Sequence, residues 1–177
     1  MPDAFEMLVA DHRRVAELLK DATAGEPAPG VIASIVKELS VHDAIERVHV
    51  YPQVRDRLEN GHFLSQRAIF EHGEVARLLL ELDRRPDGDT AVPDLLVRLR
   101  ELVANHVEEE EAALFPALRR VMAGEEVDEL GTTLEGARSS APTRPHPHTP
   151  QDGTSAKLAA AAAAPLDKLK DKLQRRP

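Results

Sequence analysis

The chain has 177 residues, a formal net charge of −8 and no cysteine. That charge argues against a general nucleic-acid binder, which needs a basic face for phosphates, and the lack of cysteine excludes disulfides, iron–sulfur clusters and thiolate zinc sites. Apolar residues make up 42% and aromatics only 3%, so the expected product is one domain plus an appendage, with a core of Leu, Val, Ile and Ala.

The first residues lack a secretory pattern and no apolar run reaches bilayer length. The expected setting is therefore soluble and cytoplasmic, with a membrane contact not favoured.

Residues 3–22 read as a first helix, with Phe5, Leu8, Val9, His12, Val15, Ala16 and Leu19 recurring at helical spacing. A Gly/Pro cluster over 25–30 breaks it. A second helix is predicted over 31–59, ended by Asn60-Gly61, and Pro52 inside it either kinks it or starts a new turn. A third covers 63–85. After a loop over 86–89 comes a fourth over 92–123, ended by Gly124, in which Pro116 repeats the role of Pro52. A shorter fifth helix is expected over 125–138.

Composition then changes. Residues 139–155 are rich in Pro, Ser, Thr and His and read as a linker. An alanine run and a small amphipathic helix follow, with Leu166, Leu169 and Leu173 on one side. This reads as a solvated tail that docks weakly, with a peripheral membrane or partner contact as the alternative. The domain is thus expected over 3–140 and a Pro/Ala-rich, flexible tail over 141–177.

Two segments carry one pattern. His42-x3-Glu46-x4-Tyr51-Pro52 and His106-x3-Glu110-x4-Phe115-Pro116 share every offset. Each follows a helix with a single histidine in its apolar stripe: His12 beside Leu8, Val15 and Leu19, and His72 beside Ile69, Ala76 and Leu79. Positions i and i+4 lie within about 40° on a helix, so His42 and Glu46 share a face, as do His106 and Glu110. A buried carboxylate is costly unless paired or metal-bound. One inward histidine is usually a satisfied core residue, and one HxxxE is usually a surface pair. Two HxxxE pairs with equal offsets, each after an inward histidine, point to a metal site. Four imidazoles and two carboxylates suit a pair of iron ions, and the donor types leave zinc and manganese open.

In this order, His12, His42-x3-Glu46, His72, His106-x3-Glu110, the chain resembles the hemerythrin-like (HHE cation-binding) domain. The aromatic-Pro ends of both HxxxE segments strengthen the likeness, and the stretch from Ala141 to Pro147 is similar to tails of bacterial members. The resemblance implies an all-α fold, an up-down four-helix bundle, and a non-haem, oxo-bridged di-iron centre held by His12, His42, Glu46, His72, His106 and Glu110. It also implies a small-molecule ligand, either dioxygen, peroxide or nitric oxide. Oxygen-carrying members have an HxxxH pair on the third helix, whereas here Ala76 stands four residues after His72. Two octahedral irons offer about twelve positions, of which the implied set fills about ten.

His49, seven residues after His42, is the expected substitute ligand, with a place just behind the ligands as its alternative. Tyr51, the only tyrosine, either bonds a bound oxygen species, binds iron, or simply packs. Glu111 rivals Glu110, while Glu108 and Glu109 are expected to face solvent. A ferritin-like di-iron fold would need Glu-x-x-His on two helices, but the chain has it once, at Glu46-x-x-His49. His62 reads as a surface residue, and His146 and His148 as parts of a solvated linker. Three functions compete: turnover of a small oxidant (catalase-like or nitric-oxide-reducing), a sensor of oxygen, nitric oxide or iron, and a metal-free helical bundle.

Overall fold

The protein is described by a computed structural model that covers residues 3–86, 88–147 and 153–174. Among these residues the secondary structure is helical, with no strand. The helices are α1 (Ala4–Thr23), α2 (Val31–Ile45), α3 (Tyr51–Arg57), α4 (Gly61–Asp83), α5 (Val92–Glu109), α6 (Phe115–Val121), α7 (Gly124–Arg138) and α8 (Gly153–Gln174). No helix among the described residues is long and apolar enough to cross a membrane.

Local chemistry sets the boundaries. The Asp3 carboxylate caps α1 by accepting from the backbone N–H groups of Phe5 and Glu6 at 2.9 and 3.0 Å. Asn60 adopts a left-handed φ of 56° before α4. Gly61 follows because a Cβ there would stand 2.1 Å from the carbonyl oxygen of Val54.

The two long helices expected over 31–59 and 92–123 are each interrupted at the same place. A π-helical segment, Glu46–Val50, joins α2 to α3, and another, Glu110–Leu114, joins α5 to α6. The N–H groups of Tyr51 and Phe115 donate five residues back, to the carbonyls of Glu46 and Glu110. Pro52 and Pro116 come next. Proline donates no N–H and its ring clashes with the carbonyl four residues back. A wider turn just before it accommodates both defects, and such turns favour functional sites.

α1 packs on α2 and α5, and α4 packs on α2 and α5. The core is split into two apolar clusters. One contains Leu8, Ile45, Ile69 and Leu114, and the other Val15, Leu39, Leu79 and Val103. Between these positions on each of the four helices lies a buried polar residue: His12, His42, His72 and His106. A polar layer therefore divides the core.

The segment after α7 differs from a solvated linker. Ala141, Pro142, Thr143 and Pro145 are buried. Arg144 pairs with Asp83 and with Asp171 of α8, each at 3.0 Å, and Asp171 also accepts from its Nε at 3.1 Å. His146 meets Asp167 at 2.9 Å. α8 packs on the first π-helical segment. Asp167 is buried, while Leu166, Leu169 and Leu173 are 56–77% exposed. Pairing explains this choice, since His146 meets Asp167 and Arg144 meets Asp171, and a buried carboxylate is tolerated when paired. His148 lies outside the described residues.

Candidate metal centre

The polar layer assembles the predicted donors. The Nε2 atoms of His12 and His42 approach to 3.2 Å, and those of His72 and His106 to 2.7 Å. One Glu46 oxygen, Oε2, lies 3.0 Å from His42 Nε2 and 3.4 Å from His72 Nε2. Glu110 places Oε2 3.4 Å from His12 Nε2 and Oε1 3.4 Å from His106 Nε2. Two four-donor groups result: His12, His42, Glu46 and Glu110, and His72, His106, Glu46 and Glu110. Both glutamates belong to both groups, and both are fully buried.

Burial and neighbouring charges oppose one another at these groups. Burial resists a charged His106, but Glu110 and then Glu71 overcome it and carry its pKa up to about 10. Burial resists a charged His42 too, and Glu46 and Asp11 hold it well above its ordinary range. His72 goes down, because burial and the charge of His106 outweigh Asp43. Burial opposes ionisation of Glu110, yet His106 and His12 keep it well below the usual carboxylate range. Even so, Oε1 of Glu46 and Oε2 of Glu110 lack a hydrogen-bond partner. A buried orphan acceptor costs about 1–3 kcal/mol. A cation between the imidazoles and carboxylates would satisfy all of these atoms, so the residues fit a metal.

Residues 3–118 match the model of the hemerythrin HHE cation binding domain. The chain belongs to that family. It is 27% identical over 176 residues to an uncharacterised hemerythrin-like protein of Schizosaccharomyces pombe, covering 97% of this chain and 87% of that one. It is 26% identical over 137 residues to a DNA nickase of Nostoc, covering 76% of this chain and 38% of that protein. No solved structure matches it.

In this hemerythrin-like chain Tyr51 enters the donor layer. Its hydroxyl lies 2.7 Å from His72 Nε2, 3.0 Å from Glu110 Oε1, 3.3 Å from Glu46 Oε2 and 3.4 Å from His106 Nε2. Burial, followed by the charges of Glu110 and Glu46, pushes its pKa well up. His49 is half-buried on the first π-helical segment, outside both donor groups. Glu111 turns away from the donors and meets His12 Nδ1 at 2.8 Å. His62 is exposed at the start of α4.

Three participants went unnoticed in the sequence: Asp11, Asp43 and Glu71. Asp43 lies 2.6 Å from His72 Nδ1, Glu71 lies 2.8 Å from His106 Nδ1, and Asp11 lies 3.7 Å from His42 Nδ1. Their one sequence signal is adjacency, since each is next to a histidine of the layer.

A cavity of about 30 Å³ adjoins the donors, with Leu39, Ala76, Leu79, Val103 and Pro145 in its wall. Ala76 leaves free the space that a longer side chain would fill. Pro145 comes from the segment after α7, beyond the family match.

Proposed function

We propose that this hemerythrin-like protein holds two iron ions on His12, His42, Glu46, His72, His106 and Glu110, and binds or turns over a small oxidant: hydrogen peroxide, nitric oxide or dioxygen. The observation that carries the reading is the pair of four-donor groups sharing both carboxylates. Glu46 and Glu110 would then each help to hold both cations, and mixed imidazole–carboxylate donors suit iron. An up-down bundle of α1, α2, α4 and α5 is the framework we infer. Its support is that the chain meets the Leu8 cluster before the layer on α1 and α4, and after it on α2 and α5. Residues 3–140 form the domain in this reading and 141–177 the appendage.

When bound, the iron pair supplies electron exchange with the oxidant. The chain's own residues do the rest. The cavity of about 30 Å³ has room for only one or two water-sized molecules, which selects small ligands. Its apolar wall excludes bulk water. The raised pKa of Tyr51 keeps a proton on its oxygen, available as a hydrogen bond to a ligand. His49, on the π-helical segment that begins at Glu46, would be the alternative proton carrier.

Iron-loaded protein should evolve oxygen from hydrogen peroxide or consume nitric oxide anaerobically. Protein that holds iron but does neither would leave the second reading, a sensor of oxygen, nitric oxide or iron. That reading draws on the packing of α8 against the segment that begins at Glu46. Removal of 141–177 would then alter a partner interaction. The likeness to a nickase is tested with supercoiled plasmid, which the acidic chain should leave intact.

A further inference from the structure

Each of the four histidines has a carboxylate at the nitrogen that faces away from the donors. Glu111 serves His12, Asp11 serves His42, Asp43 serves His72 and Glu71 serves His106, at 2.8, 3.7, 2.6 and 2.8 Å. In every case the carboxylate comes from a neighbouring helix or its π-helical extension. The order is closed: α1 serves α2, α2 serves α4, α4 serves α5, and the extension of α5 serves α1. Each carboxylate is also the chain neighbour of a donor: Asp11 of His12, Asp43 of His42, Glu71 of His72 and Glu111 of Glu110. One short stretch per helix thus supplies a donor to the centre and an acceptor to the next helix.

We propose that Glu111, Asp43 and Glu71 are positioning residues that fix the imidazoles of His12, His72 and His106 and strengthen them as donors, with Asp11 completing the ring around His42 by charge alone. The proposal rests on the reading of the histidines as ligands. An ionised carboxylate only accepts hydrogen bonds. It therefore places the hydrogen on Nδ1 and leaves the Nε2 lone pair facing the centre, and it raises the basicity of the ring. Stronger donors favour the higher oxidation state of a bound iron.

The ring is itself held. Arg47 binds Asp43, Arg67 binds Glu71 at 3.1 Å, and Arg138 binds Asp11. Arg138 belongs to α7, beyond the residues matched by the family model. It takes the same Asp11 oxygen that stands 3.7 Å from His42, too far for a hydrogen bond. His42 is accordingly the least firmly held of the four, and its Nδ1 lacks a hydrogen-bond partner.

The test uses full-length protein loaded with iron, with metal affinity measured by chelator competition and reduction potential by titration. Asp43→Ala and Glu71→Ala should weaken metal binding about 10- to 100-fold. Asp43→Asn and Glu71→Gln keep an acceptor but lose the charge, so they should recover most of the affinity while the potential rises. Glu111→Ala should behave like Glu71→Ala. Glu71 and Glu111 side chains are 30% and 36% exposed, so these variants serve even if Asp43→Ala fails to fold. Alanine variants with wild-type affinity and wild-type potential would overturn the ring while leaving the ligands in place. A wild-type chain that holds no iron under the same loading would overturn the ligand reading, and the ring with it.

Discussion

The Tyr51 hydroxyl lies 2.7 Å from His72 Nε2, inside the donor layer. Tyr51→Phe keeps the ring and removes only that oxygen. Loss of one buried hydrogen-bonding group should cost about 1 kcal/mol, so the variant should fold and retain its metal. Its visible absorption should change, and its rate of peroxide or nitric oxide turnover should fall. Spectra and rates identical to wild type would remove Tyr51 from the centre's chemistry.

The sharing of carboxylates predicts unequal metal losses. Glu46 and Glu110 belong to both donor groups, His12 and His106 to one each. Glu110→Ala should empty both positions, whereas His12→Ala should spare the group that contains His72 and His106. Metal analysis by mass spectrometry should read near zero for the first variant and about half the wild-type content for the second. Equal losses would argue against that sharing.

Stability of the metal-free protein should depend on pH through His106. Its pKa is about 10 in the folded chain against an ordinary 6.5. The folded state therefore binds the proton more tightly, and this contribution is fully present below pH 6.5 and lost as pH rises through 10. Thermal melts of chelator-treated protein should shift down across that range. Iron-loaded protein should show little of this shift, because the metal takes the place of the proton.

Core damage and site damage should separate. Leu96 is fully buried in the apolar cluster that also holds Leu99 and Val103. Leu96→Ala should cost about 2–5 kcal/mol in a denaturant titration. Its iron content should stay at the wild-type level, because the donors sit between the two clusters rather than within this one.

Arg144 ties the segment that carries Pro145 to Asp83 and Asp171. Pro145 lines the cavity beside the donors. Arg144→Ala should loosen that wall, and a chelator should then strip iron faster than from the wild type. An unchanged rate would show that the metal leaves by another route.

That His42 and Glu46 share a helical face, as do His106 and Glu110, was legible in the sequence because i,i+4 spacing fixes two side chains on one face whatever the helix packs against. The repeated offsets to Pro52 and Pro116 marked the two segments as equivalent. They did not reveal the π-helical turns, which arise where a proline must be accommodated inside a packed helix. Nor did they settle Glu110 against Glu111. The turn that begins at Glu110 sets the phase of the residues after it, and the structure sends Glu111 to His12 instead of to the centre.

Asp11, Asp43 and Glu71 were beyond reach of the sequence for a related reason. Each acts on a histidine of another helix, so its role depends on how neighbouring helices are rotated against one another. The tail makes the same point. Its leucine spacing puts Leu166, Leu169 and Leu173 on one side of a helix, but periodicity does not say which face meets the domain. Arg144 and His146, reaching Asp171 and Asp167 from a separate segment, draw those carboxylates inward and leave Leu166, Leu169 and Leu173 outside. Sequence alone determined what lies on one helical face. Tertiary structure decided what that face touches, because contacts between helices depend on rotations and ion pairs that no single helix encodes.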